Sequence, residues 1–383
     1  MKILFVSTDF NRSGAALAMI ELAEKVRMLG NDVLLLYPGH GDAVEEAKGR
    51  NLNYRIIRSY EWVKPLVRKE SLRVKIKWLL KHFYNLISIK QIERLIKQEK
   101  IELVHVNSLW GYVGAVAARR TNTPYVWHMR ELLEQQQQIQ LRWKKYGQKL
   151  IGDADALIAI SKLVENYYTG RFPVEKIHRI YDGVDVDKMY RESHPLFEHD
   201  KIKIMIAGGV RPAKRQMDVV QAVEILTNKG TDIELSIVGA DNTEYSDEIK
   251  EYIKAHILED RIAFLGETSD IAAYWEKNDI SVTSSEFEAF GRVTAEAMLT
   301  GCVVVVSNSG ANEEIVTDGT TGYVYELGSP DSLATAIERV LADRNKAEEC
   351  ATAGKESVKQ RFSSEKNAAQ VVDLYKTVLE IRQ

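Results

Sequence analysis

Glu288 and Glu296, with seven residues between them, carry the most chemical information in this chain. They stand in Ser284-Ser285-Glu286-Phe287-Glu288-Ala289-Phe290-Gly291-Arg292-Val293-Thr294-Ala295-Glu296-Ala297-Met298. An apolar run, residues 280–283, precedes the string and reads as a buried strand. Residues 291–299 have helical spacing, with Val293, Ala297 and Met298 able to face a sheet. Strand, short loop and helix is the arrangement in which N–H groups at a helix N-terminus hold an anion. Glu288 lies in that loop and Glu296 more than a turn into the helix. A carboxylate repels phosphate but accepts hydrogen bonds from neighbouring sugar hydroxyls in pairs. An anion cradle between two hydroxyl acceptors suits a nucleotide diphosphate sugar, phosphates in the middle and a sugar at each end.

Two Glu at this spacing occur by chance in most chains of this charge content, so the weight rests on the whole string. Followed by Thr300-Gly301-Cys302-Val303-Val304, it resembles the donor-site signature of the family 4 retaining glycosyltransferases of the GT-B fold. The resemblance implies an α/β chain of two Rossmann-like domains, with parallel sheets facing across a cleft. Other fragments resemble the same family along nearly the whole chain. Ser13-Gly14-Ala15-Ala16 stands where the family has a Gly-rich turn, and Ala15 departs from the usual second glycine. Trp127-His128-Met129-Arg130-Glu131 resembles the motif whose histidine faces the donor sugar. A lone histidine is more often structural, but the end of a strand is the ligand-facing edge of such sheets, which favours His128. Arg211-Pro212-Ala213-Lys214-Arg215-Gln216 matches the phosphate loop of the second domain, with Lys214 as the cation on the leaving diphosphate. Many relatives carry Arg where this chain has Gly209, and Arg211 and Arg292 are the candidates to compensate. In Gly310-Ala311-Asn312-Glu313-Glu314-Ile315-Val316, Glu314 matches the acid of the family, although it could equally cap the following turn.

The resemblance thus implies His128, Glu288 and Lys214 as catalytic residues. It implies Gly14, Ala15, Arg211, Phe290, Gly291, Arg292, Glu296 and Glu314 as donor-binding ones. Glu296 would take the ribose hydroxyls, and Glu288 the donor sugar with the amides of Phe290 and Gly291. Arg292 would add charge at the phosphate. Lys214 and helix amides can stabilise the leaving group without a cation, and a departing phosphate oxygen can accept the acceptor's proton. Closure of the domains would bring His128 onto the donor and exclude water. No cofactor and no metal are expected. Asp153-x-Asp155 precedes a strand instead of ending one, and Asp185-x-Asp187 lies in the expected hinge. The expected partners are a UDP- or GDP-linked sugar donor and a glycan or lipid-linked acceptor of cell-surface polysaccharide assembly, with no nucleic acid. Two other readings stay open: a sugar-nucleotide epimerase of similar architecture, which the Glu288 to Glu296 string argues against, and a non-catalytic sugar-nucleotide-binding subunit, which only turnover excludes.

Positioning these residues takes two cores, because 383 residues exceed the usual size of one. Apolar strands alternate with helical stretches throughout, predicting parallel sheets. Residues 3–6, 33–37, 103–106, 125–127 and 156–160 read as strands of the first half. Residues 202–207, 234–238, 262–265, 280–283 and 303–306 read as strands of the second. Neither half contains G-x-G-x-x-G, so a nicotinamide cofactor is not indicated. The expected domains are 1–187 and 201–363, joined by a hinge at 188–200, with residues 364–383 a helix crossing back to the first domain. The start of the chain reads as a strand and not a signal peptide, and no apolar run reaches the length of a membrane span. Cys302 and Cys350 offer no metal spacing, and a reduced, cytoplasmic setting is expected.

Charge is asymmetric: residues 1–185 hold 30 Lys and Arg against 20 Asp and Glu, while the remainder holds 22 against 35. Different partners for the two halves follow. Within residues 62–100 the balance is 11 against 3. There Leu72, Ile76, Leu79, Leu80, Phe83, Leu86 and Ile87 form a helical stripe, with Arg73, Lys77 and Lys81 off it. Either this segment makes peripheral contact with an anionic membrane, with Trp62, Trp78 and Tyr84 at headgroup level, or the stripe packs on the first sheet. Both readings stay open on sequence alone.

Overall fold

The computed structural model describes residues 1–67 and 70–382. It divides into two compact units: Met1–Gly183 with Ser364–Gln383, and Val184–Ser363. Each is built on a parallel sheet. The first has seven strands in the order Tyr54–Ile56, Asp32–Tyr37, Lys2–Val6, Leu103–Val106, Tyr125–Met129, Ala156–Ala159, Ile177–Arg179. The second has six, in the order Ile262–Gly266, Ile233–Val238, Ile202–Ala207, Ile280–Thr283, Val303–Ser307, Tyr323–Tyr325. Leu103–Val106, Ile280–Thr283 and Val303–Ser307 are buried along their whole length. Helices cover both faces of such a sheet, so its strands read as continuous apolar runs without alternation.

Three short strands at sheet edges, Tyr54–Ile56, Ile177–Arg179 and Tyr323–Tyr325, extend the pattern read from sequence. Each has three residues, too few to show a period. Val63–Pro65 pairs antiparallel with Ile139–Leu141 as a separate ribbon of the first unit.

The expected hinge at 188–200 is corrected. That stretch belongs to the second unit, and the chain passes between units at Gly183–Val184 and Ser363–Ser364. Leu196 and Phe197 join the second core. The ring nitrogens of His194 contact Thr300 O and Asn278 O at 2.8 and 3.0 Å, and Phe197 N–H donates to Asp279 at 2.6 Å. The segment lacks periodicity because it is irregular coil, yet it is packed coil. Helix Ser364–Arg382 completes the first unit: Ala368, Val371, Tyr375 and Val378 share a core with Ile3, Phe5 and Met19.

Packing of the 72–87 stripe on the first sheet is also overturned. Helix Leu72–Gln98 buries Asn85, Ser88, Ile89 and Ile92 instead, and its apolar stripe is exposed. Leu86 is the exception, half-buried beside an aromatic groove. Trp62, expected at a headgroup level, is fully buried: it stacks on Tyr112 at 4.9 Å, and its Nε1 donates to Leu109 O at 2.7 Å.

Candidate active site

In the second unit the chain leaves Ile202–Ala207 for one side of the sheet and later returns to Ile280–Thr283 on the other. The crevice beyond the carboxyl ends of those two strands is where sheets of this topology bind ligands. Two loops meet there. Ser284 Oγ donates to Lys214 O at 2.7 Å, and Glu286 N–H donates to Ala213 O at 2.9 Å. Lys214 Nζ reaches Glu288 Oε1 at 2.5 Å, with both side chains at least two-thirds buried. Arg215, with its backbone in the left-handed region at φ 51°, clamps the same loops by pairing with Asp218 at 2.7 Å and Glu286 at 3.3 Å. The third loop closes from Val303–Ser307: Ala311 N–H donates to Glu288 O at 2.8 Å. Gly310, at φ +64°, lies so near that a Cβ there would stand 2.5 Å from Glu288 N and O.

Gly291, at φ +102°, starts helix Arg292–Thr300 with no side-chain cap, which leaves the partial positive charge of the helix end facing the crevice. Arg292 and Glu296 form an i,i+4 pair at 3.2 Å on that helix. Phe290 is buried edge-on against Phe362 at 5.3 Å. The guanidinium of Arg211 lies beside Gly209, its Nε 3.5 Å from where a Cβ would be, so its charge occupies the space a side chain at 209 would use. Glu314 lies in the short helix Asn312–Ile315, its carbonyl accepting from Arg361 at 2.7 Å.

Gly14, Ala15 and His128 belong to the first unit. Ser13 caps helix Gly14–Met28, accepting from Ala16 N–H at 3.2 Å. Ala15 O accepts from Asn107 Nδ2 at 3.0 Å, and Asn107 Oδ1 accepts from Arg130 Nε at 2.9 Å. Arg130 also forks onto Asp182 at 2.6 and 2.7 Å, a buried pair. His128 is fully buried within Tyr125–Met129. Its Nδ1 lies 3.1 Å from His105 Nε2 and 3.4 Å from Arg130. A guanidinium only donates, so Nδ1 is the acceptor and the ring proton sits on Nε2. His105 then donates through Nε2 and accepts at Nδ1 from the Tyr375 hydroxyl, 2.6 Å away. Burial first, and the Arg130 cation second, hold both imidazoles well below the usual histidine range, hence neutral. The outcome is a buried Nε2–H on His128 with no hydrogen-bond partner among the described residues.

Arg215, His105, Tyr375, Arg130, Asp182 and Asn107 were not singled out from sequence. Arg130 stood inside a quoted motif, but its partners come from distant segments. The D-x-D aspartates have structural work: Asp155 accepts from Tyr125 N–H at 2.9 Å, and Asp185 caps a short helix through Lys188 N–H at 3.1 Å.

Residues 12–188 match the family model described as Glycosyltransferase Family 4, and residues 188–357 match Glycosyl transferases group 1. The chain belongs to the family 4 glycosyltransferases of the GT-B fold. N-acetyl-alpha-D-glucosaminyl L-malate synthase of Bacillus anthracis is 31% identical to this family member over 230 residues, 60% of this chain and 58% of that relative. Capsular polysaccharide biosynthesis glycosyltransferase CapM of Staphylococcus aureus is 24% identical over 197 residues, 51% of each chain. The matches therefore span little more than half the length of those two curated relatives. The crystal structure of Anabaena Alr3699/HepE in complex with UDP-glucose matches with a TM-score of 0.82 at 21% identity. That likeness of fold covers 98% of this chain and 100% of that one.

Proposed function

We propose that this protein transfers a sugar, with retention of anomeric configuration and without a metal ion, from a nucleotide diphosphate sugar to a glycan or lipid-linked acceptor of cell-surface polysaccharide assembly. The observation that carries this reading is the Lys214–Glu288 contact beside the uncapped start of helix Arg292–Thr300, at the switch point of the second sheet. There a cation and a helix dipole can stabilise the departing diphosphate in a largely dehydrated crevice. Glu288 stands next to that charge and accepts from hydroxyls of the transferred sugar. Glu296, just over a turn into the helix, accepts from the ribose. Arg211 and Arg292 add charge at the phosphates, and the amides of Phe290 and Gly291 face the donor. His128, whose buried Nε2–H has no partner among the described residues, would donate to a sugar oxygen only once its surroundings open to the donor. With retention, the acceptor hydroxyl enters on the face the diphosphate leaves, and its proton passes to a departing phosphate oxygen. UDP and GDP are the donor bases to test, UDP first because the HepE structure holds UDP-glucose. Peripheral contact with a membrane at its cytoplasmic face would bring the protein to its acceptor.

The test is a panel of UDP- and GDP-sugars assayed for transfer and for slow hydrolysis, the anomeric configuration being read by proton NMR. Retention and full activity in EDTA are expected. Activity lost in EDTA and restored by Mg²⁺ or Mn²⁺ overturns the metal-free part. Binding without turnover on any sugar of the panel would leave a sensor or assembly subunit.

A further inference from the structure

Arg215 holds a backbone conformation that a residue with a Cβ rarely takes. It stands between the short turn Pro212–Lys214 and helix Gln216–Asn228, at φ 51° and ψ 39°. Left-handed backbone crowds Cβ against the following carbonyl oxygen, so glycine fills most such corners. Glycine at 215 would end the turn and begin the helix with less strain. Where such a corner persists beside a ligand-facing crevice, its side chain has work that glycine cannot do.

The Arg215 guanidinium touches three segments. Nε and one terminal nitrogen fork onto Asp218 at 2.7 and 3.1 Å, in the first turn of the helix that Arg215 precedes. The other terminal nitrogen reaches Glu286 Oε1 at 3.3 Å, in the loop that carries Glu288. A Cβ at Gly328 would stand 3.2 Å from the guanidinium, so the loop beyond Tyr323–Tyr325 closes against it. The Asp218 side chain is 8% exposed and that of Glu286 46%. A half-exposed ion pair such as the one with Glu286 adds little stability. Its use is direction, since a forked guanidinium cannot turn without breaking its bonds.

The residue so directed is Lys214. Its carbonyl accepts from Ser284 Oγ at 2.7 Å, and Ala213 O accepts from Glu286 N–H at 2.9 Å. Those bonds lay the turn against the 284–291 loop, and the Arg215 clamp fixes the corner at which the turn ends. Arg215–Glu286 and Lys214–Glu288 are then two rungs between the same loops, one residue apart on one side and two on the other.

We propose that Arg215 is a positioning residue of the donor site: its clamp on Asp218 and Glu286 holds the left-handed corner that aims Lys214 Nζ at the place of the leaving diphosphate. The inference rests on the donor-site reading of Lys214 and Glu288. A charge fixed in advance needs no reorganisation as the leaving group departs. Loss of its aim lowers turnover more than donor binding, which has other partners.

Arg215→Gly and Arg215→Ala both remove the clamp, but only glycine relieves the left-handed corner. The glycine variant should therefore melt above the alanine one. Both should lose about tenfold or more in kcat for hydrolysis of the donor, with KM moving less than about threefold. A merely structural role makes kcat recover together with stability, so wild-type turnover in Arg215→Gly overturns the proposal. Glu286→Gln, which loosens one rung, should lower kcat in the same direction. R215G/E286Q should be no worse than R215G, because both act through one contact; additive losses overturn the clamp.

A second readout needs no turnover. With lysine labelled by carbon-13 at Cε, the Lys214 resonance is the one absent from Lys214→Arg. It should stand apart from those of exposed lysines in the wild type and move towards them in Arg215→Gly. An unmoved Lys214 resonance overturns the proposal. If no sugar of the panel is turned over, the catalytic reading fails by itself, and this resonance still decides whether Arg215 holds Lys214.

Discussion

Glu288 and Glu296 keep different electrostatic company, and that separates their predicted phenotypes. Glu288 meets Lys214 from another loop, whereas Glu296 meets Arg292 on its own helix. Glu296→Ala should weaken nucleotide binding and leave the Lys214 contact intact. Glu288→Ala should mainly lower turnover. Loss of one charge-assisted acceptor costs about 1.5–3 kcal/mol, roughly ten- to hundredfold. Titration calorimetry with UDP and GDP, beside steady-state rates, distinguishes the two; wild-type values in both variants would falsify the donor-site assignment. His128 invites a different measurement. Tyr375→Phe removes the donor to His105 Nδ1, so the proton that His105 offers to His128 is no longer directed there. Nitrogen-15 NMR should report a single Nε2–H form of His128 in the wild type and a mixture of tautomers in Tyr375→Phe. An unchanged spectrum would mean that Arg130 sets the tautomer by itself.

At the scale of elements, what was legible had a local cause. Buried strands announce themselves as apolar runs, and the 284–298 string announced a strand, a loop and a helix that the structure places at 280–283, 284–291 and Arg292–Thr300. One misjudged element and one left open were those whose pattern admits two environments. The 188–200 stretch looks like a linker because coil has no period, yet Leu196 and Phe197 are core residues. The 72–87 stripe has the period of a packed helix but faces outward. Partnerships between distant segments, such as Arg130 with Asp182, had no local signature at all. Glu131 is another. It ends the His128 strand region fully buried, accepting from Ser108 Oγ at 2.6 Å and Leu109 N–H at 2.7 Å. Burial pushes its carboxyl up to about 7, against the pull of those two donors. A carboxyl whose folded value is raised binds more protons folded than unfolded. Its contribution to stability is therefore present at low pH and is lost as pH rises from about 4.5 through about 7, a change on the order of 3 kcal/mol. Glu131→Gln should remove that component. Urea midpoints between pH 5 and pH 8 check it: the variant should gain on the wild type as pH rises, and a parallel pair of profiles would show that Glu131 ionises normally.

The whole molecule is organised by a chain that leaves its first unit and comes back. By unit, the charge asymmetry is 33 Lys and Arg against 22 Asp and Glu in the first, and 19 against 33 in the second. Solvent contacts of opposite sign thus belong to separately packed bodies. The second unit, Val184–Ser363, is one continuous segment with its own core. The first is discontinuous: without Ser364–Arg382 it loses Ala368, Val371, Val372, Leu374, Tyr375 and Val378 from its core, along with the donor to His105. Those side chains are all buried, three of them fully, and removing several together exposes the apolar faces they cover at ~1.5–3 kcal/mol each. That exceeds the usual stability of a domain of 5–15 kcal/mol, or comes close to it. Truncation after Ser363 should therefore unfold the first unit while the second keeps its structure. Calorimetry should show the loss of one transition. Residues 184–363 expressed alone should melt cooperatively and bind UDP or GDP, since Lys214, Glu288 and Glu296 all lie within them. A truncated chain that retains both transitions would mean that the returning helix only decorates the first unit. An isolated 184–363 that folds but binds neither nucleotide would place essential donor contacts outside the second unit, and His128 would then be the first residue to test.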